Sequence, residues 1–421
     1  METVRPTWER TTLFRQIIQP LESDLVLESN QIDHVNSVEE TALHECRNRI
    51  TQYEESLSNG KNWEYYKKIV NPFEIVYTQK KYQNFPESIC FLKPLSRSYF
   101  KMIEMLDLLQ FFQMFPQEAI RTAHVCEGPG GFIEALFDEA GKHDRTIHSS
   151  TAMTLKSRKT NIPGWKRATH FLHKNKNINI IFGKDHTGDI MKPENQQYFI
   201  DYTAQPDQER TIHIFTADGG FDFSCDYMKQ ETMVFPLLLA STKIGLEVLK
   251  VGGVFVLKLF DFYHQCTIDL LRLLSFHFEE WTLYKPCMSR PCNPEHYFIG
   301  KGFTGCSNKV LDVMRLWCSM LEHGQPLESL FVPQQIESEC KCVWLQHIQQ
   351  VRQTSFHLQT EYLERVFSII ESSNDDEIRA YLKRNERTSY EWCVRFKVPI
   401  FSRRYHLIEA SQSDPPVSFP Q

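Results

Sequence analysis

The chain has 421 residues, of which 41% are hydrophobic, 24% charged and 13% aromatic, with a formal net charge of −6 and a pI near 6.3. That length calls for two domains, or one large domain with extensions, and the acidic balance excludes a generally basic nucleic-acid coat, so any polyanion contact must be a local patch. The twelve cysteines include no Cys-x-x-Cys pair, and Cys340 with Cys342 has no further ligand at zinc spacing, so reduced thiols and no metal site are expected. The opening METVRPTWERTTLF has no apolar signal core, and no run reaches the roughly 18 apolar residues of a membrane span. A soluble, cytoplasmic protein with no membrane partner is the expectation.

Residues 1–70 are expected to form a helical N-terminal extension. Leu43, Cys46, Ile50 and Tyr53 fall at helical spacing behind a capping box that opens at Ser37. Asn71-Pro72 breaks this pattern, and NPFEIVYTQKKYQNFP reads as a connecting segment. Residues 96–112, SRSYFKMIEMLDLLQFF, predict a single helix.

From about residue 120 strands and helices alternate. TAHVCE, TIHSSTAMT, INIIFG, TIHIFTADGG, GGVFVLKLF and HYFIGKGF read as strands, several of them apolar enough to be buried on both faces. GFIEALFDEA and PLLLASTKIGLEVLKV read as helices between them, the latter stopped by Gly252-Gly253. This is the α/β doubly wound pattern, placed at 71–305. Beyond 305, NKVLDVMRLWCSMLEH, CVWLQHIQQVRQ, TEYLERVFSIIESS and DDEIRAYLKRN predict a helical C-terminal region, 306–421, ending in a loose tail.

The first strand of the α/β block runs into CEGPGGF. Bare backbone and a helix N-terminus at a strand end suit a ligand with a carboxylate, and Glu127 or a later Asp suits a positive centre. The dinucleotide glycine spacing and the Gly-Lys-Ser/Thr of a phosphate loop are both absent. S-adenosylmethionine has the required charges, although a simple tight turn accounts equally well for Gly128-Pro129-Gly130-Gly131 alone. Asp218 closes the strand of FTADGG, Lys258 lies inside the apolar strand VFVLKLF, Glu295 precedes HYFIGKGF, and Lys101 lies on the helix before the block. A lysine in an apolar strand either snorkels out or has partners. Taken as a set, two amines and two carboxylates suit removal of a proton from a ribose hydroxyl. A free lysine, pKa about 10.4, is a poor base until burial and a neighbouring cation lower it. Lys101 is the candidate for that cation.

SRSYFKMIEML, CEGPGGF, TADGGF, VLKLFD and KPCMSRPCNPEHYFIGKGF occur in the order of the FtsJ-like ribose 2'-O-methyltransferases, and with NPFEIVYT, MTLK and DHTGDI the chain most resembles the adrift-type branch acting on the messenger RNA cap. The resemblance covers roughly residues 70–305. It implies a Rossmann-like methyltransferase sheet, mostly parallel with an antiparallel edge strand, and a Lys101–Asp218–Lys258–Glu295 tetrad with Lys258 as proton acceptor. It implies S-adenosylmethionine held by Glu127, Gly128, Pro129, Gly130, Gly131 and Phe132, with Asp185 or Asp189 near the nucleoside and Asp218 near the methionine part. Capped messenger RNA is the implied substrate.

Lys156, Arg158, Lys159, Lys166 and Arg167 around Trp165 form a candidate RNA track, or else a solvated loop. Trp63, Tyr65, Tyr66 and Phe73 are candidates for a cap pocket. Two other functions remain open: a scaffold that binds a capping enzyme or another protein through its helical extensions, and methylation of ribosomal or transfer RNA.

Overall fold

The computed structural model describes residues 14–15, 25–28, 38–57, 61–78, 85–156, 164–204, 210–220, 230–331 and 339–401. The strands are β1 (Phe14–Arg15), β2 (Ile120–Val125), β3 (Ile147–Met153), β4 (Ile178–Ile181), β5 (Ile212–Ala217), β6 (Leu249–Leu259), β7 (Phe278–Tyr284) and β8 (His296–Phe303). They form one sheet in the order β1-β7-β8-β6-β5-β2-β3-β4. The pairs β4–β3, β3–β2, β2–β5 and β5–β6 are parallel, whereas β8 runs against both β6 and β7 and β1 against β7. The chain leaves β2 towards β4 and returns on the other side of β2 as β5, so the crevice beyond the carboxyl ends of β2 and β5 is the switch point where open α/β sheets bind ligands.

The helices are α1 (Val38–Ser56), α2 (Trp63–Val70), α3 (Ser98–Leu109), α4 (Phe111–Met114), α5 (Gly131–Lys142), α6 (Thr169–Lys174), α7 (Pro193–Thr203), α8 (Gln230–Val248), α9 (Gln265–Ser275), α10 (Asn308–Glu322), α11 (Glu339–Ser372) and α12 (Asp375–Arg395). Side chains alternate along β6. Phe255, Leu257 and Leu259 enter the core with α8, α9 and α10 on one face. Val254 and Val256 enter the core with α3 and α5 on the other. Parity therefore turns Lys258 to the α3 face, the face on which Lys101 lies.

Several details depart from the sequence pattern. The helix expected across 96–112 breaks at Gln110, which takes a left-handed φ of 50° and caps α3 before α4 begins. Gly252-Gly253 does not stop a helix. α8 ends at Val248 and β6 starts at once, with Gly252 inside the strand at φ 81°. The two helices expected from CVWLQHIQQVRQ and TEYLERVFSIIESS are one 34-residue helix, α11, because no Gly or Pro separates them. β7 was absent from the expected strands, since Glu279 and Glu280 interrupt its apolar pattern. The capping box at Ser37 and the tail after 401 lie outside the described residues.

The two ends of the chain meet. Leu43 and Cys46 of α1, Trp63, Tyr66 and Ile69 of α2, and Leu363, Val366 and Phe367 of α11 share one core with Ile378 and Tyr381 of α12. Asn385 donates to the Ile69 carbonyl at 2.6 Å, and Tyr53 stacks on Phe367 at 4.4 Å. Among the described residues no helix is long and apolar enough to cross a membrane, and no cluster of His, Cys, Asp or Glu could hold a metal ion.

Candidate active site

Each of the four charged residues reaches one crevice from a different element. Asp218 follows β5, whose last residue Ala217 pairs with Leu257, and Lys258 on β6 pairs with Tyr297 on β8. Glu295 lies two residues before Tyr297 and shares its parity. Lys101 is the fourth residue of α3. Lys101 Nζ lies 2.6 Å from Glu295 Oε1, and Lys258 Nζ lies 3.6 Å from Asp218 Oδ1 and 3.7 Å from Glu295 Oε2. The chain thus forms Lys101–Glu295–Lys258–Asp218, with Glu295 bridging the two amines. Tyr297 extends it, donating its hydroxyl to Asp218 Oδ1 at 2.8 Å. Sequence reasoning missed Tyr297, although its parity with Glu295 in PEHYF was a usable signal.

The electrostatics correct one expectation. Burial works against the Lys258 ammonium, but the carboxylates of Asp218 and Glu295 outweigh it and hold its pKa above the ordinary lysine value. Lys101 therefore does not make Lys258 a ready base, because Lys101 pairs with Glu295. Burial alone would raise the Glu295 carboxyl, yet Lys101 and then Lys258 hold it well below the usual carboxylate range. Burial, Asp218 and Glu295 raise the Tyr297 hydroxyl well above its ordinary value, so it stays a proton donor to Asp218.

Beside this set, β2 enters the turn Cys126–Gly130, with Cys126 at φ 59° and Gly130 at φ 103°. Glu127 is 2% exposed; its Oε1 accepts the Phe132 N–H at 2.9 Å, and its Oε2 is buried with no partner. Burial and then Asp218 push the Glu127 carboxyl well above its usual range. The neighbouring Cys126 thiol is raised to about 12 by burial, Glu127, Asp189 and Asp218, in that order. Glu127, Asp189 and Asp218 thus all act on the Cys126 thiol at the end of β2. Gly220 leaves the space before Lys258 open, since a Cβ there would lie 3.0 Å from the Phe260 ring and 3.5 Å from Lys258 Nζ. An orphaned buried carboxylate oxygen within an acidic, glycine-lined crevice fits a ligand that carries positive charge, as S-adenosylmethionine does.

Gly131 permits the first turn of α5 to touch the start of α3. A Cβ there would lie 2.1 and 2.2 Å from the Ser96 and Ser98 hydroxyls and 3.0 Å from the Tyr99 backbone nitrogen. Gly131→Ala is expected to lower stability by about 1–3 kcal/mol and to weaken cofactor binding by shifting Phe132 and Glu127. Thermal melting and titration calorimetry with S-adenosylhomocysteine check both effects; wild-type affinity would separate this contact from cofactor binding.

The other expected residues separate. Asp189 acts electrostatically on the Cys126 thiol, whereas Asp185 organises its own loop, accepting from Thr187 N at 2.9 Å and Asn195 Nδ2 at 2.8 Å and pairing with Lys192 at 2.6 Å. Trp63, Tyr65, Tyr66 and Phe73 are all buried in cores and present no stacking surface. Lys166 and Arg167 are exposed, and Lys156 lies 5.3 Å from the Phe182 ring centroid. Trp165 packs inward instead, with Phe137, Phe171 and Leu172. Arg158 and Lys159 lie outside the described residues.

The loop 285–295 that carries Glu295 is held from both ends of the chain. Buried Glu104 on α3 accepts from Tyr284 Oη at 2.7 Å, Cys287 N at 2.8 Å, Met288 N at 3.0 Å and Trp392 Nε1 of α12 at 3.1 Å. Arg290 pairs with Glu74 at 3.0 Å and Glu64 at 3.1 Å. Inside the loop, buried Lys285 donates to Ser289 Oγ at 3.2 Å and to the carbonyls of Arg290 at 3.3 Å and Glu295 at 3.0 Å.

Residues 94–303 match the FtsJ-like methyltransferase family. The chain is 31% identical over 200 residues to cap-specific mRNA (nucleoside-2'-O-)-methyltransferase 1 of Danio rerio, covering 47% of this chain and 23% of that protein. The Homo sapiens protein of the same name is 30% identical over 200 residues, with the same two shares, 47% and 23%. That of Dictyostelium discoideum is 30% identical over 227 residues, covering 51% and 30%. The chain thus spans less than a third of the length of these relatives. Among solved structures, a ribosomal RNA methyltransferase, putative, from Plasmodium falciparum aligns at 17% identity and a TM-score of 0.34, over 50% of this chain and 100% of that one. Human methyltransferase-like protein 13 in complex with SAH aligns at 12% identity and a TM-score of 0.33, over 59% and 99%.

Proposed function

This chain carries an FtsJ-like methyltransferase domain at residues 94–303, and we propose that it transfers a methyl group from S-adenosylmethionine to the ribose 2'-oxygen of a cap-proximal nucleotide in messenger RNA. The observation that carries the reading is the linked set Lys101–Glu295–Lys258–Asp218 beside the unpartnered Glu127 oxygen.

When bound, S-adenosylmethionine would supply a methyl carbon on a sulfonium, whose sulfur would leave as a neutral thioether as the ribose oxygen bonds to that carbon. Glu127, Asp189 and Asp218 would hold its positive part, and the Gly128–Phe132 turn with the α5 N-terminus would receive its carboxylate. Lys258 accepts the 2'-hydroxyl proton on Nζ. Its raised pKa means that the amine must first lose a proton to solvent, so the reaction favours alkaline pH. Glu295 and Asp218 aim the amine, Lys101 fixes Glu295, and Tyr297 fixes Asp218. Most of the acceleration comes from holding two substrates in line. Because the 2'-hydroxyl distinguishes RNA from DNA, the reacting atom itself selects RNA.

The test is methyl transfer to capped RNA, to the same RNA without a cap, and to ribosomal and transfer RNA transcripts. Transfer confined to capped RNA is expected. Equal transfer to uncapped or structured RNA would replace the cap assignment with ribosomal or transfer RNA. Cofactor binding without transfer to any of them would favour a scaffold that recruits a protein partner.

A further inference from the structure

Between residues 145 and 184 the chain has nine Lys and Arg and not one Asp or Glu, although it carries 53 acidic residues and a net charge of −6 overall. Within this stretch, the described residues 164–176 form an outer layer on the sheet. The 3-10 turn Trp165–Ala168 and helix α6 lie against the sheet beside β3 and β4, anchored by Trp165, Phe171 and Leu172 over Ile133, Ala152 and Ile178. With those side chains turned inward, Lys166, Arg167, Lys174 and Lys176 are exposed, and none forms an ion pair with another described residue.

The surface begins at the cofactor turn. A Cβ on Gly130 would lie 3.1 Å from the Trp165 ring, so the residue that leads the basic turn abuts the glycine turn itself. From there the chain descends along α6 from the carboxyl ends of the strands to the start of β4. A run of unneutralised cations leading away from a reaction crevice matches the repeating phosphates of a strand that has one nucleotide in that crevice. A solvated edge has no need to exclude every carboxylate over so long a segment.

We propose that Lys166, Arg167, Lys174 and Lys176 form the track along which the body of the RNA lies when one of its nucleotides is in the methylation site, a reading that rests on RNA being the substrate. The contacts are to phosphates and are indifferent to base sequence.

The test is binding of a fluorescently labelled, uncapped single-stranded RNA of 30 nucleotides, followed by anisotropy over a range of salt and without methyl transfer. Each phosphate contact on a single strand contributes about 0.7 to the log–log salt slope, so changing all four residues to Glu is expected to lower the slope by about 3 and to weaken binding about a hundredfold near 0.15 M salt. The milder pair Lys174→Gln and Lys176→Gln is expected to lower it by about 1.5, which guards against misfolding of the fourfold variant. Lys383→Glu with Lys397→Glu, a charge change of the same sign on α12 and beyond it, is expected to leave the slope nearly unchanged. An unchanged slope in both track variants would overturn the track even if methyl transfer is confirmed. A lowered slope in a protein that methylates no RNA would sustain the track while the proposed reaction fell. Equally tight binding of polyglutamate by the wild-type chain would overturn the RNA assignment in favour of an acidic protein partner.

Discussion

Replacing Lys258 with alanine is expected to lower methyl transfer by about 10²–10⁴-fold while S-adenosylhomocysteine binds with nearly wild-type affinity, because in the proposed reaction the amine takes the proton and holds no part of the cofactor. Lys258→Arg should be as inactive, since a guanidinium retains the charge but does not release its proton in this pH range. The pH profile follows from the direction of the shift. Asp218 and Glu295 hold the Lys258 pKa above the ordinary lysine value, so the neutral amine, and with it the rate, should still be rising above pH 9. Glu295→Gln removes one of the two carboxylates, and should move this rising limb to lower pH even as it loosens the aim of the amine. A flat profile between pH 7 and pH 9 in the wild-type chain, or turnover by Lys258→Arg, would remove Lys258 from the role of base.

Glu104→Ala is expected to produce the largest loss of stability. It leaves the Tyr284 hydroxyl, the Cys287 and Met288 N–H groups and the Trp392 indole without their shared acceptor. At about 1–3 kcal/mol for each buried donor left unpaired, the loss is of order 4 kcal/mol or more. Burial raises the Glu104 carboxyl from 4.5 to about 7 against the hydrogen bonds that favour its ionised form. A carboxyl whose pKa is higher in the folded state holds its proton more tightly there. Its contribution is complete below about pH 4.5 and is lost as the pH rises to about 7. Glu104→Gln, which keeps the shape and one acceptor oxygen, should therefore be destabilised less than Glu104→Ala and show a shallower fall in melting temperature between pH 5 and pH 7. Lys285→Met is expected to act on the reaction instead: the Arg290 and Glu295 carbonyls lose their donor, Glu295 shifts, and kcat falls while cofactor affinity holds. Equal kcat in wild type and Lys285→Met would show that Glu295 needs no such support.

The features legible in the sequence were those written in local chemistry. The glycine turn at 128–131, the carboxylate closing β5 and the lysine inside β6 each departed from an otherwise apolar pattern, and the crevice unites them because strand ends on one edge of a parallel sheet point to one place. What stayed hidden depended on burial and on distant pairing. Trp63, Tyr65 and Tyr66 look like stacking residues in the sequence, but α11 and α12 cover them. Glu104 looks like an ordinary helical glutamate, because its donors come from positions 284–288 and 392. The sign of the Lys258 shift was missed for a related reason. Composition supplied two lysines and two acids, but only the geometry shows that Lys101 pairs with Glu295 while both carboxylates face Lys258.

The measurement closest to the central claim is transfer of labelled methyl from S-adenosylmethionine to a short capped RNA, beside a matched RNA already methylated at its first ribose 2'-oxygen. Label on the first RNA alone, lost with Lys258→Ala, is the predicted result. Equal label on both RNAs would contradict it, by placing the methyl on another nucleotide or on a base.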